Sequence, residues 1–172
     1  MMGTLDVYLI RHAAAEERGF AWPDDDIRPL SAEGRAGMRK AARGLVRLGV
    51  TFNVILTSPL VRARQTAEVV AEAFDARPPI VVVDALAPGG RDADLLVELT
   101  RHSHRRAIAM VGHEPDLGEL AVRLVGSERA LAFKKGAVCR IDLGSIPESI
   151  PPAQPGILRW FLTPAVLRAI KG

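Results

Sequence analysis

Two arginines and two histidines stand just beyond the ends of three apolar segments, and their types suit the handling of a phosphoryl group. Arg11 and His12 follow Leu5-Asp6-Val7-Tyr8-Leu9-Ile10, a short β-rich run that reads as a strand buried on both faces. Arg62 lies in Thr57-Ser58-Pro59-Leu60-Val61-Arg62-Ala63-Arg64-Gln65-Thr66-Ala67, behind a second strand. His113 lies in Met110-Val111-Gly112-His113-Glu114-Pro115, behind another. Open α/β sheets take their ligands at the carboxyl ends of strands. Phosphoryl transfer requires positioning and neutralisation of charge on three oxygens. The planar fork of an arginine grips two of those oxygens at once. A neutral imidazole can attack phosphorus and carry the group as a phosphohistidine. Neighbouring guanidinium groups lower its pKa and keep it neutral. A second histidine can hydrogen-bond a phosphoryl oxygen. Arg11, His12, Arg62 and His113 supply that set without a metal.

The elements that must position these residues alternate along the chain. Residues 14–29 form a loop after the first strand, and its acidic run Asp24, Asp25 and Asp26 reads as solvated. Ser31 caps a helix with Glu33 in its first turn. Met38, Ala41, Ala42, Leu45 and Leu48 mark its buried face, and Gly49 ends it. Arg35, Arg39, Arg43 and Arg47 recur on this helix as a solvated stripe. The second strand spans 53–57, and Ser58 and Pro59 are expected as N-cap and first residue of the next helix. Leu60, Ala63, Ala67, Val70, Ala71 and Phe74 form that helix's core stripe, with Arg62 off the stripe near the N-terminus, where free N–H groups suit an anion. Strands are expected at 80–83 and 107–111, with a helix at 92–101 between them. Pro115 opens a helix whose core face is Leu117, Leu120, Ala121, Leu124 and Val125. Two late strands, 137–143 and 157–162, are joined by a proline-rich loop that cannot be helical, and Thr163-Pro164 cap a last short helix. The pattern predicts one domain over 1–172, a doubly wound three-layer α/β/α sandwich. Its central sheet is expected to be mostly parallel, with a late antiparallel addition.

Bulk properties narrow the function classes. At 172 residues the chain is long enough for a real core, and 48% apolar with 25% charged residues is ordinary for a soluble globular protein. The net charge of +3 is mild, and aromatics at 5% do not cluster near the basic runs, so no nucleic-acid partner is expected. No apolar run reaches membrane-span length and no signal peptide is visible, which leaves the cytoplasm as the expected compartment and no membrane partner. Gly3 follows two methionines, a poor context for myristoylation. Cys139 is the sole cysteine, which excludes an internal disulfide framework and a thiolate zinc cluster, and it reads as a core residue.

The segments around the four site residues resemble the histidine phosphatase superfamily, also called phosphoglycerate-mutase-like. They resemble most its small SixA-type branch of phosphohistidine phosphatases. Residues 8–16 resemble the first motif, 58–67 the second and 111–115 the third, while Leu30-Ser31-Ala32-Glu33-Gly34 and Leu162-Thr163-Pro164 also fit. The resemblance spans nearly the whole chain. It implies that His12 is a nucleophile, transiently phosphorylated, and that Arg11, Arg62 and His113 clamp the phosphoryl group, with no metal and no cofactor. The implied partner is a phosphorylated protein, such as a phosphorelay domain, or a small phosphorylated molecule.

Two departures bear on mechanism. Ala13 stands where the superfamily usually has glycine, which is tolerable unless that position needs a positive φ. Larger members carry an acidic proton donor in an insertion, whereas here only 24 residues, 84–107, separate two strands. Asp84, Asp92 and Glu114 are the candidate acids. An imidazole leaving group, with a free pKa of about 6.5, needs far less acid catalysis than a sugar alkoxide. The expected function is therefore metal-independent removal of phosphate from phosphohistidine on a protein. The alternatives are a phosphatase for a small metabolite and a non-catalytic phosphate-binding module. His102 and His104 read as an exposed helix end, Gly89-Gly90 as a turn, Lys134-Lys135-Gly136 as a charged turn, and Trp22 and Trp160 as packing residues.

Overall fold

A computed structural model describes residues 4–171, so the Gly3 reading lies outside the described residues. Among these residues six strands form one sheet: β1 (Leu5–Arg11), β2 (Val54–Thr57), β3 (Ile80–Val82), β4 (Ala107–Gly112), β5 (Val138–Leu143) and β6 (Ile157–Leu162). Their order is β3-β2-β4-β1-β5-β6. The first four run parallel, while β5 is antiparallel to both β1 and β6. The late antiparallel addition is therefore present, and the fold is α/β as the alternation implies.

Among the described residues, five α-helices cover the sheet: α1 (Ala32–Arg47), α2 (Val61–Glu72), α3 (Asp92–Arg101), α4 (Asp116–Val125) and α5 (Pro164–Ala169). Side chains of a strand alternate between faces, and β1 shows the consequence. Tyr8 and Ile10 join the core formed with Met38, Ala41 and Leu45 of α1, Ala63, Ala67 and Val70 of α2, and Leu167 of α5. Val7 and Leu9 join the opposite core, with Leu95 and Leu99 of α3 and Leu117, Leu120 and Leu124 of α4. Both faces of β1 are thus apolar, which is why it reads as a continuous hydrophobic run.

Local signals set the helix ends. Ser31 Oγ accepts the Gly34 N–H at 3.0 Å, and Gly49 beyond α1 has φ +73°. Gly34 has a second duty. A Cβ there would stand 1.9 Å from the Ala14 carbonyl oxygen, so only glycine lets the chain leaving β1 pack against the start of α1. Thr163 caps α5 as expected, its Oγ1 accepting the Val166 N–H. One boundary differs from expectation. Helix α2 begins at Val61, not Pro59, and Ser58 is not its N-cap. The Ser58 N–H still donates to the Val111 carbonyl at 3.0 Å, so the β2–β4 ladder continues through Ser58 and delays the helix.

The strand order explains the site. β2, β4 and β1 are consecutive neighbours, with Arg11 registered to Gly112 and Thr57 to Val111. Residues 11–12, 58–62 and 113 therefore emerge side by side along one edge of the sheet. Among the described residues, no helix is long and apolar enough to cross a membrane.

Candidate active site

Arg11, His12, Arg62 and His113 line one cleft of about 780 Å³ at the carboxyl ends of β1, β2 and β4. His12 is 6% exposed, Arg62 3% and His113 3%, values that set them apart from a surface charge cluster. The His12 N–H continues the ladder to the Gly112 carbonyl at 3.0 Å. Gly136, at φ +80°, turns the chain so that its N–H meets the carbonyls of Arg11 and His12. The main chain of the Arg-His pair is thus pinned on both sides. The imidazole is fixed too: its Nδ1 lies 2.7 Å from the Ala13 carbonyl, so Nδ1 carries the hydrogen and Nε2 keeps the lone pair. The His12 and His113 rings are 5.1 Å apart. His113 Nε2 and Ser58 Oγ share a hydrogen bond of 2.8 Å.

The two arginines are held alike. Arg11 Nη1 donates to the Phe133 carbonyl at 2.6 Å, and Arg62 Nη1 donates to the Asp25 carbonyl at 2.6 Å. In each, Nε is buried without a hydrogen-bond partner among the described residues, as is Nδ1 of His113. Buried donors are rarely left unpaired, and two guanidinium Nε groups so placed in one cleft mark a place built for an acceptor. Arg62 also sits in the first turn of α2, whose N-terminal amides favour an anion.

Burial pushes the His12 imidazole down to about 3, with the charges of His113, Arg62 and Arg11 adding to it and the Ala13 carbonyl opposing. Burial likewise takes His113 down to about 4, with Arg62 and Arg11 adding and Asp25 opposing. Both rings are neutral at pH 7, and His12 Nε2 is free to act as a nucleophile. The same shifts make stability pH-dependent. Below about pH 6.5 an unfolded imidazole takes a proton that the folded one refuses. The unfolded state then binds more protons, so stability falls as pH falls from about 6.5 towards 4. Each ring is expected to contribute a loss on the order of 2–3 kcal/mol by pH 4. Chemical denaturation at pH 7, 5.5 and 4.5 should show a shallower loss for His12→Asn than for the wild type. Equal slopes would contradict the burial of a neutral His12.

Several residues acquire a different place from the one the sequence suggested. Asp25 is not a solvated loop residue. Its Oδ2 pairs with Arg62 Nη2 at 2.9 Å, and its Oδ1 with Arg28 Nε at 2.8 Å and Arg18 Nε at 3.0 Å. Burial works to raise the Asp25 carboxyl, but the Arg28 hydrogen bond and the three guanidinium charges outweigh it and hold it below the ordinary value. Arg28 escaped the sequence reading altogether, although it is buried at the cleft wall with Nη1 on the Glu16 carbonyl at 2.6 Å. Ser58, fully buried, supports the cleft from behind through His113, and its Oγ accepts the Leu60 N–H at 3.2 Å. Lys135 sits in a turn and also lines the cleft. Of the three candidate acids only Glu114 lines the cleft; burial raises its pKa, and Oε1 accepts the Phe133 N–H at 3.2 Å. Asp92 instead pairs with Arg123. Asp84 lies in a 3-10 turn, Asp84–Leu86, away from the cleft.

Other readings hold in detail. Ala13 has a negative φ, so alanine is unstrained there, and its N–H donates to Thr66 Oγ1 at 3.1 Å. Gln65 Oε1 accepts the Leu30 N–H at 2.8 Å, so the Gln65-Thr66 pair ties α2 to both ends of the 13–30 loop. Trp160 packs against Tyr8, with ring centroids 5.9 Å apart, and Cys139 is fully buried.

Comparison with known proteins fits this geometry. Residues 7–88 match the histidine phosphatase superfamily (branch 1). An uncharacterised protein of Picosynechococcus sp. strain PCC 7002 is 36% identical over 145 residues, which cover 82% of this chain and 87% of that protein. The phosphohistidine phosphatase SixA of Escherichia coli K12 is 25% identical over 170 residues, covering 97% of this chain and 99% of SixA. A solved structure of the protein histidine phosphatase SixA complexed with tungstate superposes with a TM-score of 0.79 at 24% identity, covering 95% of this chain and 99% of that one. With sequence relatedness over most of its length and a matching fold, the chain belongs to branch 1 of the histidine phosphatase superfamily as a SixA-type member, and it is a phosphatase.

Proposed function

We propose that this phosphatase removes phosphate from phosphohistidine on a protein, through a phosphohistidine intermediate at His12. The observation that carries the mechanism is the His12 tautomer. Its Nδ1 hydrogen is committed to the Ala13 carbonyl, which leaves Nε2 as a lone pair in a cleft walled by Arg11, Arg62 and His113. In the first step Nε2 bonds to phosphorus and the substrate P–N bond breaks, its electron pair leaving with the substrate imidazole, which takes a proton from solvent. Arg11 and Arg62 hold the phosphoryl oxygens on their Nε edges, and His113 hydrogen-bonds another. In the second step water attacks phosphorus, its hydroxyl joining the phosphate and its remaining proton returning to solvent, while the bond to Nε2 breaks, its electron pair staying on Nε2, so that inorganic phosphate leaves and His12 is restored.

The preference for a protein substrate rests on the open cleft. The segment between β3 and β4 is taken up by the 3-10 turn and by α3, which packs on the core with Leu95 and Leu99. That leaves an accessible mouth for a folded partner. One observation favours a second reading, a phosphatase of a small phosphorylated metabolite. Glu114 lines the cleft and burial raises the pKa of its carboxyl, a property that suits a proton donor to an alkoxide leaving group.

The two readings separate in one assay. Hydrolysis of a phosphohistidine protein and of a sugar phosphate is compared at equal concentration and pH 7, in excess EDTA. Faster cleavage of the phosphohistidine, unaffected by the chelator, is expected. Faster cleavage of the sugar phosphate, lost in Glu114→Gln, would move the assignment to the second reading. Loss of all activity in EDTA, restored by a divalent ion, would contradict the metal-free mechanism.

A further inference from the structure

Resting on the reading of Arg62 as a phosphoryl-binding residue, we infer that Asp25 is the positioning residue that aims Arg62 at the substrate. A guanidinium offers two usable edges. Asp25 occupies the terminal one by itself: its main-chain carbonyl accepts from Nη1 at 2.6 Å and its Oδ2 accepts from Nη2 at 2.9 Å. The other edge, Nε with the remaining Nη2 hydrogen, is the one whose Nε is buried and unpartnered among the described residues. Gripping the first edge fixes the plane of the second, which is then presented to two phosphoryl oxygens.

Asp25 can do this because it is itself immobilised from behind. Oδ1 accepts from Arg28 Nε at 2.8 Å, and Arg28, buried in its turn, donates Nη1 to the Glu16 carbonyl. The segment is also tied directly to α2, since the Val61 N–H donates to the Asp26 carbonyl at 2.9 Å. Its two limbs are closed at the base by a bridge between Ala15 and Leu30. A carboxylate beside a phosphate pocket repels the substrate dianion. Arg11 shows that a main-chain carbonyl alone can tether a guanidinium without that repulsion. The second, charged contact on Arg62 therefore points to control of orientation rather than to affinity for phosphate.

The test is a double-mutant cycle on phosphohistidine hydrolysis, with labelled substrate so that low turnover is measurable. Asp25→Ala is expected to lower kcat by about tenfold or more, a misplacement effect. Asp25→Asn keeps an oxygen acceptor for Nη2 and is expected to restore most of kcat. In an Arg62→Ala background Asp25→Ala is expected to add less than about a twofold loss, because the residue it serves is gone. The inhibition constant of inorganic phosphate should change less than kcat, since loss of repulsion offsets loss of alignment. If Asp25→Ala does not fold, Asp25→Glu, which displaces the carboxylate by one methylene, enters the same cycle. Multiplicative losses in the double variant, or Asp25→Asn as slow as Asp25→Ala, would overturn the positioning role alone. Full activity in Arg62→Ala would instead remove the assignment of Arg62 and this inference with it.

Discussion

A His12→Ala protein is expected to fold and to hydrolyse phosphorylated substrates with a kcat lower by on the order of 10⁴-fold or more. The size follows from the kind of group removed. In a two-step reaction through a covalent intermediate, the nucleophile is the one residue that no neighbour can replace, and Arg11, Arg62 and His113 can then only bind. His113 cannot substitute, because its Nε2 is engaged by Ser58 and its ring lies 5.1 Å from that of His12. The fold should survive, because the Arg11–His12 main chain is held by the Gly112 carbonyl and the Gly136 N–H, and neither contact involves the imidazole. The stability cost is one buried hydrogen bond to Ala13 and a small void, about 1–2 kcal/mol. Circular dichroism and inorganic-phosphate release on one preparation check both halves. A folded His12→Ala protein with wild-type turnover would end the covalent mechanism, and the non-catalytic binding module would fail with any turnover by the wild type.

Arg62→Lys is expected to lower kcat/KM by roughly 10²-fold while the melting temperature falls only by a few degrees. Lysine keeps the positive charge, so a role confined to charge would survive the change. It loses the fork, and with it the simultaneous grip on Asp25 and on two phosphoryl oxygens. The stability effect is modest because the core contacts of α2 are made by Ala63, Ala67, Val69 and Val70, none of which touches the substitution chemically. Steady-state kinetics with a phosphohistidine protein provide the check. Wild-type kcat/KM in the lysine variant would mean that Arg62 neutralises charge and does not orient the phosphoryl group.

Most of the architecture was legible because apolar periodicity is a local signal. The strand β1, helix α3 and the loop between β5 and β6 lie where alternation, helical spacing and proline put them. The gathering of Arg11, His12, Arg62 and His113 at one cleft was legible as well, since each follows directly on a recognisable strand or on the turn after it. What the sequence did not disclose is long-range pairing. Asp25 looked solvated because three consecutive aspartates usually are, and nothing local announces that the middle one meets an arginine 37 residues away. Arg28 carried no signal because its burial depends on the Glu16 carbonyl and on Asp25. Ser58 followed by Pro59 is a fair helix start on local rules, and it failed because the sheet ladder to Val111 extends through Ser58. The structure also sorted the candidate acids, since only the fold decides that Glu114 faces the cleft while Asp92 is drawn away by Arg123.

The most direct test of the central claim is to catch the intermediate. The wild-type protein is mixed with a phosphohistidine protein, stopped within milliseconds in base, where P–N bonds persist, and digested for mass spectrometry. The account predicts a single added phosphate on the peptide carrying His12, appearing before inorganic phosphate and absent from His12→Ala. Turnover of the substrate with no phosphate ever found on His12, or with the phosphate on His113 instead, would contradict it.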